Sequence, residues 1–244
     1  MARTDNRPRK TSKYNLLGAF ELFPKSYELV KRYLAIFGLL YLFPAIFGLA
    51  NGFVGLESER HWKTDAPVAA NAVNISGIPF YVWAGLGVGL LALMVVAVIL
   101  RIMLHTAQLR ASEGHKPKFG QLWQTVKSRG WDMFKLYLLV SIMTIIGFLL
   151  LIIPGIIMLR RYFVAPYVML DNENQGVWEA MQRSAAMTKP YSGKIYAIFG
   201  VMILFALVGI VPLIGWIGAT ALAFFYNLAP ALRYQELKKI VANT

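Results

Sequence analysis

The sequence contains no cysteine, which excludes disulfides, thiolate nucleophiles and Cys-ligated metals. Charge is scarce: Asp, Glu, Lys and Arg make up 15% of the 244 residues, where soluble domains run near a quarter. Acidic side chains are the scarcest, 12 against 25 basic ones. There is no His-Glu-x-x-His pattern, no phosphate-cradling Gly-rich loop ending in Lys-Ser/Thr, and no Gly-x-Ser-x-Gly nucleophile turn. His61, His105 and His115 are far apart in sequence, and with His61 expected outside the membrane and the other two inside, the three cannot share one metal. The expectation is therefore a non-enzymatic protein with no cofactor and no metal. The net charge of +13 suits nucleic acid, but basic cytoplasmic loops of a membrane protein give the same excess, and no nucleic-acid partner is expected.

What the chain has instead is long uncharged stretches. Tyr33–Leu56, Ala66–Leu100, Leu136–Leu159 and Ile195–Leu232 carry no Asp, Glu, Lys or Arg from end to end. About 18 to 20 apolar residues cross a hydrocarbon core roughly 30 Å thick. As a single helix, Ile195–Leu232 would be a rod of about 57 Å, so it must fold back. The expected corner is 211–215, where Pro212 removes a backbone donor and Gly215 permits a tight turn. Leu136–Leu170, interrupted only by Arg160 and Arg161, is expected to turn at Pro154-Gly155. Pro67, Asn71, Asn74 and Gly77 mark a loop before the second span.

The expected fold is all-α and polytopic: six transmembrane helices at about 33–54, 78–104, 133–153, 155–170, 192–211 and 214–234, paired as three hairpins. Charge supports that count. Residues 1–32, 105–135, 171–194 and 233–244 hold eight, six, three and three Lys/Arg, whereas the loop at 51–78 holds only Arg60 and Lys63. With six crossings every basic segment falls on one side, so both termini are cytoplasmic. Residues 1–13 are expected to be a disordered basic tail, and 14–244 a single membrane domain.

The domain reads as one unit used three times, at about 14–110, 115–173 and 174–240, each an amphipathic helix followed by a hairpin. One face recurs at i, i+3, i+4 and i+7: Leu16, Ala19, Phe20 and Phe23; Phe119, Leu122, Trp123 and Val126; and, with the same spacing, Val177, Ala180, Met181 and Ser184. Such helices lie flat at a membrane interface or pack on their own hairpins. Phe20, Phe23, Phe119, Trp123 and Met181 are the expected interfacial residues.

Arg160 and Arg161 are the least expected residues, charged and midway along the fourth span. Three readings stand beside each other: snorkelling to an interface, pairing with polar groups such as Thr144 or Asn227, and an anion or lipid site formed with Asn227. Membrane lipids are the expected partner. Gly85, Gly87 and Gly89 allow close helix approach within the chain or between subunits, and both stay open.

Ile153-Pro154-Gly155-Ile156-Ile157, Arg161, Ala165-Pro166 and the run from Glu179 to Lys189 resemble the membrane domain attached to some bacterial glycerophosphodiester phosphodiesterases and the integral membrane proteins that share it. The resemblance covers about residues 115–235. It implies a six-helix domain of the bacterial inner membrane. It carries no catalysis, because the phosphodiesterase barrel has no counterpart in this chain. The functional expectation is a lipid-interacting or envelope accessory protein; the alternative is a small transporter or channel with a polar site near the fourth and sixth helices.

Overall fold

The computed structural model describes residues 16–42, 79–172, 174–210 and 214–242, and among these the chain forms helices and no strand. The expected basic tail, residues 43–54 of the first span, the loop at 51–78 and the corner at Pro212 lie outside the described residues.

Helix α1 (Leu22–Arg32) comes first, and residues 34–42, the last described before 79, are helical and belong to α2. Helix α3 (Phe80–Ser112) is 33 residues of mainly Leu, Val, Ala and Gly. It stops at Gly114, whose φ of +82° only glycine takes freely. The Gly114 amide donates to the Ala111 carbonyl and the His115 amide to that of Arg110, the paired bonds that close a helix end. Then follow α4 (Phe119–Leu150), α5 (Ile152–Tyr162), α6 (Ala165–Asp171), α7 (Val177–Thr188), α8 (Ser192–Val208), α9 (Ile214–Tyr226) and α10 (Ala229–Ala242).

Among the described residues, three helical stretches are long and apolar enough to cross a membrane: Tyr81–Ser112, Phe119–Leu150 and Ile152–Asp171. A fourth counts if α7 and α8, bent by 97° between Thr188 and Ser192, are taken as one. The bend has a local cause. Pro190 lies in the gap, and proline both removes a donor and clashes with the preceding turn. Helix α4 has no proline at the matching place and runs straight through. The expected interfacial helix at 119–126 and the span at 133–153 are therefore one 32-residue rod, about 48 Å long.

Two further expectations are corrected. The chain reverses at Leu151, whose extended backbone separates α4 from α5, and not at Pro154-Gly155. Pro154 instead sits in the first turn of α5, where amides have no intrahelical acceptor to lose. Gly155 serves contact, not turning: a Cβ placed there would lie 2.5 Å from the Phe148 ring, and one on Gly147 would lie 3.0 Å from the Gly155 Cα. The expected sixth span at 214–234 breaks at Asn227-Leu228, so α10, with Arg233, Glu236, Lys238 and Lys239, is a separate helix. Ala-Pro opens both α6 and α10, at Ala165-Pro166 and Ala229-Pro230.

Burial divides the molecule. Tyr167, Tyr234, Met133, Leu136 and Met181 form the largest core, where α4, α6, α7 and α10 meet. Val30, Phe37, Met103, Leu122 and Leu228 form a second, and Leu22, Ile198, Val201 and Tyr226 a third. These cores make a packed base. Away from it the helices are bare: every residue of 81–97 is exposed, and so is every residue of 149–153 at the α4–α5 corner. Soluble monomers seldom expose apolar patches beyond a few hundred Å².

Candidate functional site

The polar residues of the base meet in two groups. In the first, Tyr167 Oη donates to Gln108 Oε1 at 2.6 Å, and Gln108 Nε2 donates to Asn227 Oδ1 at 2.5 Å and to the Asn227 carbonyl at 3.1 Å. Helices α3 and α6 are thereby tied to the break between α9 and α10. The His105 ring packs against Tyr137 and Tyr167, and its Nδ1 lies 2.8 Å from the Arg101 carbonyl. The Arg101 guanidinium stands over the Tyr137 ring, 5.5 Å from its centroid.

The second group closes the end of α6. Arg129 Nη1 donates to the carbonyls of Met169 and Asn172, both at 2.7 Å, and Nη2 to that of Gln175 at 3.4 Å. The last carbonyls of a helix have no internal donor, and a guanidinium fork supplies several at once. This contact also shows that α5 and α6 run back along α4. At the same end, Asp171 accepts from Lys238 Nζ at 2.7 Å and from Tyr234 Oη at 2.8 Å. Burial, then the bond to Asp171, pushes the Tyr234 phenol well above its ordinary range, so it remains a donor at physiological pH. A cavity of about 360 Å³ between α3, α4 and α6 is lined by Arg110, Glu113, Arg129 and Asp171. Its charges are held by the fold: Arg110 donates to Gln121 and Glu113 accepts from Gln235.

Arg160 and Arg161 sit in the last turn of α5, and neither is bonded to Asn227. Asn227 belongs to the Gln108 group. The two arginines differ. The Arg160 Nε is buried without a partner. Arg161 is exposed, beside the exposed Ile156, Ile157 and Leu159, and its guanidinium lies 6.0 Å from the Tyr162 ring centroid. The carbonyl of Arg161, freed by the break before Pro166, accepts from Ser184 Oγ of α7 at 2.8 Å.

That bond governs the expected interfacial set. Phe20, Phe119 and Trp123 are exposed, at 66%, 55% and 41%. Met181 is 1% exposed and belongs to the main core, because α7 lies across the break between α5 and α6 and turns Met181 and Ser184 inward. Phe23 is half-buried, stacked on Tyr226 and edge-on to Phe205. The residues facing outward that the periodicity missed are Trp178 and Trp131, exposed by 55% and 68%. A signal for the true register was present: Gly18 and Gly176 each precede a Glu by three residues, and each glycine amide donates to that carboxylate. This is the return bond of a capping box, and at Gly18 it opens the turn over residues 19–21 that leads into α1, so Leu16 stands before the helix.

Among the described residues no group of three or more His, Cys, Asp or Glu side chains could hold a metal. No protein-family model, curated protein or solved structure matches the chain.

Proposed function

We propose that the chain is a six-span protein of the cytoplasmic membrane, with both termini cytoplasmic, acting as a non-enzymatic lipid-interacting or envelope accessory component. The observation that carries the reading is the contrast between a self-packed base and helix α3, apolar and exposed at every residue of 81–97. Hydrocarbon is the solvent in which such a surface costs nothing. Arg161 then stands where a charge needs an anionic partner, and an inner-leaflet phosphate is within reach of a snorkelling guanidinium. Helix α8, with 17 residues, rises about 26 Å and supplies the fifth crossing.

A repeated unit supports the hairpin scheme. Helix α4 and the α7–α8 pair match end to end at one constant offset, Phe119 with Val177 and Leu150 with Val208. A second constant offset relates the helices that follow: α5 and α9 end at Tyr162 and Tyr226, and α6 and α10 begin at Ala165 and Ala229. Ser184 of α7 bonds the Arg161 carbonyl, and Ser26 of α1 bonds the carbonyl of Phe225. Those two carbonyls are related by that same second offset, and the two serines are as far apart in the chain as Gly18 and Gly176. Helices α7 and α1 thus each fill the break of a hairpin, that between α5 and α6 and that between α9 and α10. We also propose, on the residues given for the resemblance, that the chain shares the architecture of the phosphodiesterase-linked membrane domains.

The test is lipid retention. Protein purified in mild detergent is expected to keep phosphatidylglycerol, and Arg160→Gln/Arg161→Gln to keep several-fold less at an unchanged melting temperature. Equal retention by the variant would remove the arginines from any lipid site.

One observation favours a transporter or channel as the second reading. Thr144 Oγ1, Arg160 Nε and Asn227 Nδ2 are buried with no partner, and buried polar atoms ordinarily have one. Anion flux through proteoliposomes that is lost in Arg160→Gln would favour that reading over the first.

A further inference from the structure

A groove between α3 and α4 lies apart from the arginines of α5. Its walls are Leu91, Met94 and Val95 on α3 and Gly130, Trp131 and Phe134 on α4, around a space of about 390 Å³. Three features together identify an occupant. The first is length. The α3 wall extends from Leu91 to Ile102, about 16 Å of helix, or roughly half the hydrocarbon thickness. That is the depth of one leaflet. The second is shape. Gly130 leaves the groove floor open: a Cβ there would touch only Val126, at 3.8 Å, so any longer side chain at 130 has the groove as its free space. The third is the change in chemistry along the groove. Towards Leu91 the walls are aliphatic. On α4 they end in a shelf where Trp131 stacks on Phe134 with centroids 5.6 Å apart. Lys135 Nζ lies 5.5 Å from the Trp131 centroid, and Lys127 Nζ lies 5.9 Å from that of Trp123. Lys127 and Lys135 fall one turn to either side of Trp131 on the same helix face. Asp132 offsets part of the Lys135 charge, at 3.4 Å, and the shelf stays net positive. Aromatic residues with flanking lysines mark headgroup depth.

We propose that this groove binds one acyl chain of an anionic phospholipid from the cytoplasmic leaflet, with the lipid phosphate at the Trp131 shelf, in the positive field of Lys127 on one side and Lys135 on the other. The proposal rests on the membrane placement given above and names a lipid and its seat. Trp131 reports on it directly. In a variant keeping Trp131 as its sole tryptophan, the other five replaced by Phe, fluorescence is followed in phosphatidylcholine vesicles. These contain a small mole fraction of lipid with brominated acyl chains, which quench tryptophan on contact. Brominated phosphatidylglycerol is expected to quench as though about fivefold more concentrated than brominated phosphatidylcholine, roughly the effect of one lysine at an anionic surface. Lys127→Gln/Lys135→Gln, both exposed positions, is expected to abolish the difference. Gly130→Phe is expected to reduce quenching by both lipids. Equal quenching by the two lipids in the parent protein overturns the proposal and leaves the membrane placement standing. No quenching in vesicles made wholly of brominated phosphatidylcholine overturns the placement itself.

Discussion

Replacing Arg129 by Met is expected to lower the stability of the folded protein by about 3 kcal/mol. The guanidinium answers three carbonyls, those of Met169, Asn172 and Gln175. Two of these bonds, at 2.7 Å, have the length of charge-assisted contacts. Methionine fills a similar volume and donates nothing, so the carbonyls at the end of α6 lose their charged donor. For a chain of this size the loss corresponds to a fall in melting temperature of roughly 6–12 °C. Arg129→Lys is expected to recover less than half of it, because one ammonium cannot span carbonyls that a planar fork reaches together. A melting temperature within 2 °C of the parent, as a rough bound for a surface substitution, would show that α6 does not depend on this cap.

The second large effect is steric. Gly155→Val is expected to cost about 3 kcal/mol, at the upper end of overpacking penalties. A Cβ at 155 meets three atoms of the Phe148 ring at 2.5–2.8 Å. These include the atom nearest the backbone, so the ring cannot swing away at its tip alone. Either α5 lifts off α4 or Phe148 leaves its rotamer. Gly85→Val is the control. Nothing lies within 4 Å of a Cβ there, and the same gain in volume is expected to change the melting temperature little. Thermal unfolding followed by far-ultraviolet circular dichroism measures both. Equal effects at the two sites would mean that Gly155 does not approach the Phe148 ring closely.

The sequence disclosed those parts of the fold that rest on local chemistry. Uncharged length marked α3, α4 and the α5–α6 stretch as candidate spans. The Ala-Pro pairs at 165 and 229 marked places where a helix restarts. What it hid depends on partners distant in the chain. Met181 has the spacing of an interfacial residue and is buried, because Ser184 beside it finds a carbonyl 23 residues back. Arg129 reads as one more basic residue on a polar face until α6 returns to it across 40 residues. Asn227 was legible as a polar residue within an apolar run, but its tie to Gln108 joins positions 119 apart. The reversal at Leu151 escaped for a different reason. Pro154-Gly155 has the composition of a corner, yet proline is accepted in the first turn of a helix and glycine serves close packing as readily as turning. The register of the first amphipathic helix was hidden by Leu16, which extends its apolar spacing ahead of Gly18, where the Gly18–Glu21 bond opens the turn into α1.

Sidedness tests the six-crossing topology most directly, and the absence of native cysteine makes the measurement clean. Single cysteines introduced at Lys135, Lys194 and Arg60 are reacted with a membrane-impermeant maleimide in intact cells and in lysed cells. With six crossings, Lys135→Cys and Lys194→Cys are expected to react only after lysis, while Arg60→Cys reacts in intact cells. Reaction of the cysteines at 135 and 194 from opposite sides would contradict that topology, because an odd number of crossings would then separate two segments that the hairpin scheme assigns to the cytoplasm.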